Sequence, residues 1–543
     1  MSNKIKDLHT IDDTSFPYTF EQNASVPLKT SEGLVRCNVY RKIPSKLNQR
    51  YPVLVTYDFH PKSFSEVNAE HHSAHSAWET PDPGFWAQVD YAIVRADERG
   101  LGQSPGLLNT ISRGTSEAFF DIVEWATEQP WSSGKVGLLG ISYYADSQWR
   151  VAARKPKGLT CMIPWEGMSD YYRDRCRHGG ILSNKFIKFW WDRQVVSNQY
   201  GRPGRKEKNW YRFRDEEYYA SKEYDMGDFE VPLLSVGNWG GILLHLRGNI
   251  EGYTHAGSEF KYLRMITGRH DLPSYYKHEV EIQRSFLDAF LKGEDRPGWS
   301  EKGKLPPADL VLRKGDVGFN DAEKEKSYPR RTKNEWPIAR TQYTKYYLTP
   351  SQILTIVEPE EIEITGHIVA HLNVSLSIDP TGLTPSDIDI FLTLRYVSPS
   401  GKEVFYTDTA GDLVPLTKGW LRVNLRKTNP EHPKHRQWLP WRDYFSTDVL
   451  PNFWFTWLMD TLVLPVVLGN VYAVDVEIWP TNVVVEKGGR IVLEVSSGDT
   501  QGSGIFLHDY PDDRSEAKLR GMNHIHFGPR FLNWVSPPII PPK

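Results

Sequence analysis

Short apolar runs alternate with helix-length stretches through the first half of the chain. Val53–Tyr57, Ala92–Ala96, Val136–Gly140, Leu159–Trp165, Pro232–Val236 and Leu263–Thr267 read as buried strands. Ser116–Glu128 and Tyr144–Ala153 have helical length and lie between them. Buried strands alternating with helices predict a parallel sheet covered on both faces. Residues 168–228 break this rhythm: rich in Arg, Tyr, Trp and Lys, they hold no buried strand run and read as a helical cap inserted between two strands. Near 300–340 the chain turns polar, as a linker does. Beyond it, Gly366–Ser377, Asp387–Val397, Tyr472–Ile478 and Arg490–Ser496 follow a period of two without intervening helices, which predicts an all-β sandwich or jelly roll.

The expected organisation is a first core segment at 1–167, a cap at 168–228, a second core segment at 229–305 and a β-sandwich at 306–543. A chain of 543 residues is too long for one hydrophobic core, which fits this division. Lys+Arg 65 against Asp+Glu 68 gives no basic excess that would point to nucleic acid. Cys37, Cys161 and Cys176 are too few and too odd in number for a disulfide framework. The opening MSNKIKDLHT lacks the apolar run of a signal peptide. The most apolar window, Phe453–Leu468, contains Asp460 and Pro465 and is too short to span a bilayer. A soluble cytoplasmic protein without a membrane partner is the expectation.

The sharpest chemical signal is Gly140-Ile141-Ser142-Tyr143-Tyr144-Ala145, between a strand and a helix. A serine on such a turn projects its hydroxyl from the sheet rim. Glycine is usual two places after the serine, but Tyr144 stands there and Ala145 follows as the small residue. A serine hydroxyl needs a base, and His270, after the strand Leu263–Thr267, lies where the order nucleophile, acid, histidine would put it.

Several runs then resemble one family. GISYYA at 140–145 resembles the GxSYxG motif of the cocaine esterase and X-prolyl dipeptidyl peptidase family, the CocE/NonD-type hydrolases. Asp97-Glu98-Arg99-Gly100, with Gly102, Ser104 and Gly106, is similar to its DxRGxGxSxG segment. Glu124-Trp125, Gln129-Pro130-Trp131 and Gly134–Gly137 resemble the run into its nucleophile strand. FLDAFLKGED at 286–295, DVEIWPT at 475–481 and GSGIFLHDYPDDR at 502–514 match later segments in order. The resemblance implies an α/β hydrolase with an inserted helical cap, plus a C-terminal all-β jelly-roll domain. It also implies a tyrosine oxyanion donor, here Tyr57, beside the backbone N–H of Tyr143.

One family feature is missing. Its triad aspartate lies in a segment like GWYDG, and here that segment is Gly237-Asn238-Trp239-Gly240-Gly241. Glu166, at the end of the strand expected beside the nucleophile strand, is the replacement acid on physical grounds: an unpaired buried carboxylate is costly, and the His270 imidazole N–H would pair it. Asp271 is the local rival. Asp170 and Asp174 at the cap entrance read rather as ion pairs, and Glu166 could itself anchor the cap to Arg173 or Arg177.

His71, His72 and His75 have zinc-like spacing, but no fitting acid or cysteine is near, and a pocket wall or plain surface is the simpler reading. His508, His524 and His526 read as structural, and Asp97 and Arg99 as pins of a loop. No metal or organic cofactor is expected. The reading is acyl hydrolysis through an acyl-enzyme on Ser142, with Trp190, Trp191, Tyr171 and Tyr172 of the cap forming a pocket for an apolar or aromatic acyl group. An Xaa-Pro peptidase, a specialised acyltransferase or lactonase, and a catalytically inactive small-molecule binding protein are the alternatives. The oligomeric state stays open, a homodimer included.

Overall fold

The apolar runs of the first half assemble into one eleven-stranded sheet. The computed structural model describes residues 8–46, 48–58, 73–195, 218–219, 221–222, 224–350, 355–357, 360–444 and 463–542. In spatial order the strands are Thr10–Asp12, Thr19–Pro27, Leu34–Arg41, Ala92–Asp97, Tyr51–Asp58, Ser132–Ile141, Leu159–Trp165, Leu233–Asn238, Lys261–Ile266, Ala308–Val311 and Arg330–Lys333. From Ala92–Asp97 to Ala308–Val311 every neighbour is parallel. Their near-continuous burial explains why they read as unbroken apolar runs rather than alternating ones.

Helix Arg113–Glu128 covers one face. Ser112 caps it by accepting the Thr115 N–H, and its Ala118, Phe119, Ile122, Val123 and Ala126 recur at helical spacing on the buried side. They pack with Val53, Val55, Val136 and Leu138 of the sheet. On the other face, Phe286, Leu287 and Leu291 pack with Leu54, Ile93 and Ile163.

The last two strands, Ala308–Val311 and Arg330–Lys333, extend the hydrolase sheet past the boundary expected at 305/306. Their polar surroundings mask a short buried strand and an edge strand. The expected helical cap is mixed in its described part. Wide helical turns at Tyr171–Cys176 and Trp191–Val195 flank the hairpin Arg177–His178/Ile181–Leu182 and the helix Lys185–Trp190. Most of the apolar window Phe453–Leu468, residues 453–462, lies outside the described residues, as do His71 and His72.

The C-terminal domain is antiparallel throughout its described strand pairs. Its longest pair, Ile362–Ile378 with Tyr472–Val485, carries a bulge between Gly366 and Ile368. Asp389–Val397 lies between Thr417–Arg422 and Arg490–Ser496. This domain does not hang on a linker. Its Ile364, Ile368, Ile390 and Trp420 share one core with Trp239, Ile242, Leu244 and Leu246 of the hydrolase domain. The segment that follows the strand Leu233–Asn238 is therefore wedged against the β domain.

Candidate active site

Ser142 sits between the strand Ser132–Ile141 and the helix Tyr143–Ala153 with φ +59° and ψ −123°. A non-glycine residue at positive φ is strained, and such strain gathers at functional sites. The backbone holds it in place: the Ser142 N–H donates to Trp165 O at 3.0 Å, and Ser142 O accepts from Ala145 and Asp146. The departures from the usual elbow pattern now have a physical account. A Cβ on Gly140 would lie 2.5 Å from Tyr144 Cβ, and one on Gly167 would lie 2.5 Å from Ala145 Cβ. Tyr144 and Ala145 are accommodated because glycines face them.

The residue that meets the nucleophile is His245. Its Nε2 lies 3.3 Å from Ser142 Oγ. His245 caps the helix Leu246–His255, and its N–H donates to Gly241 O. Burial, with the nearby His270 charge adding, holds it well below the ordinary histidine range, so it is neutral.

His270, expected at Ser142, is engaged elsewhere. Its Nε2 lies 2.8 Å from Glu79 Oε1. The His270 ring stacks on that of His245, centroids 5.7 Å apart and planes 16° apart. Burial alone would lower the His270 pKa. The Glu79 carboxylate, through charge and hydrogen bond, and then Glu166 and Asp271, more than offset it and push it up to about 9. Glu79 itself has φ +62°. Its carbonyl accepts the Ile141 N–H at 3.2 Å, which ties it to the nucleophile strand.

Glu166 is fully buried, as its sequence position suggested. Its Oε1 accepts from Asn238 Nδ2 at 3.2 Å. Burial pushes its pKa up to about 7, opposed by the His270 charge and the Asn238 hydrogen bond. A Glu166 oxygen and one nitrogen of each of His245 and His270 lie within 4.8 Å of one another, a spacing from which the three could hold a metal ion. Neither Arg173 nor Arg177 claims Glu166: Arg173 pairs with Asp170, and Arg177 with Asp513. Asp271 is taken by Arg269 through two hydrogen bonds of 3.0 and 2.8 Å. Asp174 accepts from Arg247 at 2.9 Å.

The missing family acid has a tertiary cause. A Cβ on Gly240 would fall 1.8 Å from the Thr407 carbonyl of the β domain. Thr409 O, on the same β-domain segment, accepts the His270 N–H. The β domain thus closes over the place where the aspartate would stand.

The Tyr57 hydroxyl accepts the Arg99 N–H at 3.3 Å, and its ring packs on Phe119. Tyr143 opens the helix after Ser142, where backbone N–H groups have no intrahelical acceptor. Its hydroxyl donates to Glu98 Oε2 at 2.8 Å, and its ring stacks on Trp190. Trp190, Trp191, Tyr171 and Tyr172 pack together with Tyr143 in a buried cap cluster. His75 belongs to no metal cluster among the described residues. Its Nδ1 lies 2.8 Å from the Tyr18 hydroxyl, amid Phe16, Phe20 and Tyr40. His524 and His526 meet Ser377 and Ser375 at 2.7 Å. His508 lies between His178 and Asp499, and Asp97 accepts the Gln103 N–H.

His245 and Glu79 carried no usable sequence signal. His245 is a single histidine in the apolar run Ile242–Leu246, and Glu79 precedes a proline-rich turn. Only the superposition of strand ends brings them to the serine.

A strained serine between a parallel strand and a helix, with an imidazole at its hydroxyl, defines a serine hydrolase of the α/β class. Residues 33–255 match the X-Pro dipeptidyl-peptidase S15 family, and residues 355–535 match the X-Pro dipeptidyl-peptidase C-terminal non-catalytic domain. The chain belongs to the cocaine esterase and X-Pro dipeptidyl-peptidase family of serine hydrolases. It is 32% identical to cocaine esterase of Rhodococcus sp. (strain MB1 Bresler) over 117 residues, which are 21% of this chain and 20% of that protein. A Mycobacterium bovis protein named as a serine esterase is 22% identical over 523 residues, 77% of this chain and 80% of its own. The crystal structure of a CocE/NonD family hydrolase from Staphylococcus aureus shares the fold, with TM-score 0.83, 23% identity and coverage of 99% and 98%. No helix among the described residues is long and apolar enough to cross a membrane.

Proposed function

We propose that the chain hydrolyses a small carboxylic ester through an acyl-enzyme on Ser142, with His245 as the general base. The observation that carries this is the 3.3 Å approach of His245 Nε2 to the Oγ of a strained elbow serine. That separation is loose, as catalytic contacts often are without substrate. Ser142 gives its proton to His245 Nε2 and attacks the carbonyl. The oxyanion faces the Tyr143 N–H, where the helix N-terminus adds its dipole, and Tyr57 O–H is the second donor in this reading. Collapse expels the alcohol, which takes the proton back from His245, and water resolves the ester on the same base. Glu166 and the Glu79-bound His270 position the base: one ring stacks on the other, and the carboxylates fix the rim.

The substrate class in this reading is an apolar or aromatic acyl group, because the cap places Trp190 on Tyr143 beside the nucleophile. An aqueous, reducing compartment such as the cytoplasm suits three buried cysteines that are all free.

The test is labelling with a fluorophosphonate, followed by a panel of p-nitrophenyl esters and Xaa-Pro anilides. A Ser142 adduct with ester turnover supports the reading. Turnover confined to Xaa-Pro anilides makes the chain a peptidase, and no adduct makes it a binding protein.

A further inference from the structure

Three buried polar atoms beside the nucleophile have no hydrogen-bond partner: Glu166 Oε2, His245 Nδ1 and His270 Nδ1. All three residues are buried, Glu166 and His245 almost completely. They also converge, with one donor atom from each inside a mutual 4.8 Å. A buried polar atom left unpaired is costly, and three such atoms in one place call for a common occupant.

The opposite end of each side chain is already held. Glu166 Oε1 accepts from Asn238 at 3.2 Å. His270 Nε2 meets the Glu79 carboxylate at 2.8 Å. His245 Nε2 meets Ser142 Oγ at 3.3 Å. In the His245 tautomer with its proton on Nε2, Nδ1 offers a lone pair; His270, a cation in the metal-free chain, offers one at Nδ1 once a binding metal displaces that proton to solvent. One nitrogen of each ring and a Glu166 oxygen lie within a mutual 4.8 Å, and an electron-pair acceptor is a partner that satisfies all three groups.

A histidine that ligates a metal characteristically gives its other N–H to a carboxylate, which sets the tautomer. His270 with Glu79 has that arrangement. Two imidazoles with one carboxylate make the ligand set of many zinc centres, and they suit zinc better than calcium or magnesium, which prefer oxygen. Bond lengths of roughly 2.0–2.2 Å would require the donors to close to roughly 3.3 Å from one another, within side-chain rotation.

We propose that Glu166, His245 and His270 form a binding site for one divalent cation of the zinc type, and that its occupancy silences Ser142. The silencing half rests on His245 being the base. Bound through Nδ1, neutral His245 keeps its proton on Nε2. It then donates to Ser142 Oγ and has no lone pair with which to accept the serine proton.

The full chain, stripped with a chelator and dialysed, is titrated with zinc chloride by calorimetry, and cobalt chloride is added in parallel to read visible d–d absorption. The expected result is one zinc per chain and a cobalt spectrum of a low-symmetry nitrogen and oxygen site. Glu166→Gln and His270→Asn should each weaken zinc binding by at least about 100-fold, and Glu79→Gln by about 10-fold or more. Ester turnover of the wild type should fall with zinc occupancy and return with chelator. Binding that is weak, or unchanged in all three variants, overturns the site. The wild-type cobalt spectrum keeps the test decisive if a variant misfolds: no bands also overturns it. Stoichiometric binding with turnover unaffected keeps the site but removes the silencing and, with it, His245 as base. Failure of fluorophosphonate labelling in metal-free protein counts against the Ser142 reading alone.

Discussion

His270 Nε2 lies against Glu79 Oε1 at 2.8 Å, so the nitrogen that a triad histidine offers its nucleophile is held by a carboxylate instead. His245 stands at the serine in its place. The two rings differ in charge. Burial strips both of water, but His270 is hydrogen-bonded to the Glu79 carboxylate, and its cation then disfavours a second charge on His245.

This arrangement ranks the active-site variants. Ser142→Ala should abolish ester turnover, by about 10⁴-fold or more, with the fold retained in circular dichroism. His245→Asn should lower kcat by about 10³-fold, within the range for loss of a general base. His270→Asn, which removes a positioning group, should cost less, about 10²-fold. A larger loss for His270→Asn than for His245→Asn would return the base to His270.

Gly240 tests the β domain as part of the site. A Cβ there would meet the Thr407 carbonyl at 1.8 Å, whereas one on Gly241 finds nothing nearer than 3.3 Å. Gly240→Ala should cost about 1–3 kcal/mol in urea unfolding, more than Gly241→Ala. Gly240→Asp should fail to raise activity, although it restores the family's acid. An active, stable Gly240→Asp enzyme would show that the β domain yields.

Asp513 clamps the cap to the β domain. It pairs with Arg177 of the cap hairpin at 2.7 Å and with Arg422 at 3.0 Å, and both guanidiniums are fully buried. Asp513→Ala removes the carboxylate that the two buried guanidiniums share, while Asp389 stays on Arg422. Unfolding free energy should fall by about 3–5 kcal/mol.

His178 makes stability depend on pH. Its Nε2 donates to Asp174 O at 3.1 Å, so Nδ1 accepts from His508 Nε2 at 2.9 Å, and His508 Nδ1 in turn faces Asp499 at 2.9 Å. Burial first, then the His508 and Arg247 charges, lower the His178 pKa from 6.5 to about 3, against the Asp174 and Asp499 contributions. The unfolded chain therefore binds this proton more readily than the folded one. Stability is full above about pH 6.5 and should fall by about 1.4 kcal/mol per pH unit as pH drops toward 3. Thermal unfolding between pH 7 and 4.5 measures it: His178→Phe should flatten that slope relative to wild type.

Much of the fold was legible because burial on both faces writes parallel strands as apolar runs. Leu159–Trp165 was read to the residue, and the nucleophile strand and its helix differed only at their ends. Polar flanks hid the short strand Ala308–Val311, which is why the sheet runs past the expected boundary. In the site, Ser142 was legible because an elbow needs a local sequence of strand, small residue and helix. Glu166 was legible as a carboxylate at a strand end, and the structure buries it among the rings.

The sequence by itself determined the elements, the elbow serine, the family and the absence of its usual acid. Tertiary structure decided which groups the serine meets. His245 comes from a segment wedged into the β-domain core, and Glu79 from a turn after another strand. Neither obeys a local period, since segments more than 60 residues from Ser142 reach its surroundings only where parallel strands end on one rim. The glycines at 240 and 241 were readable as a loss. Only the packed β domain, with Thr407 O against Gly240, shows what took the aspartate's place.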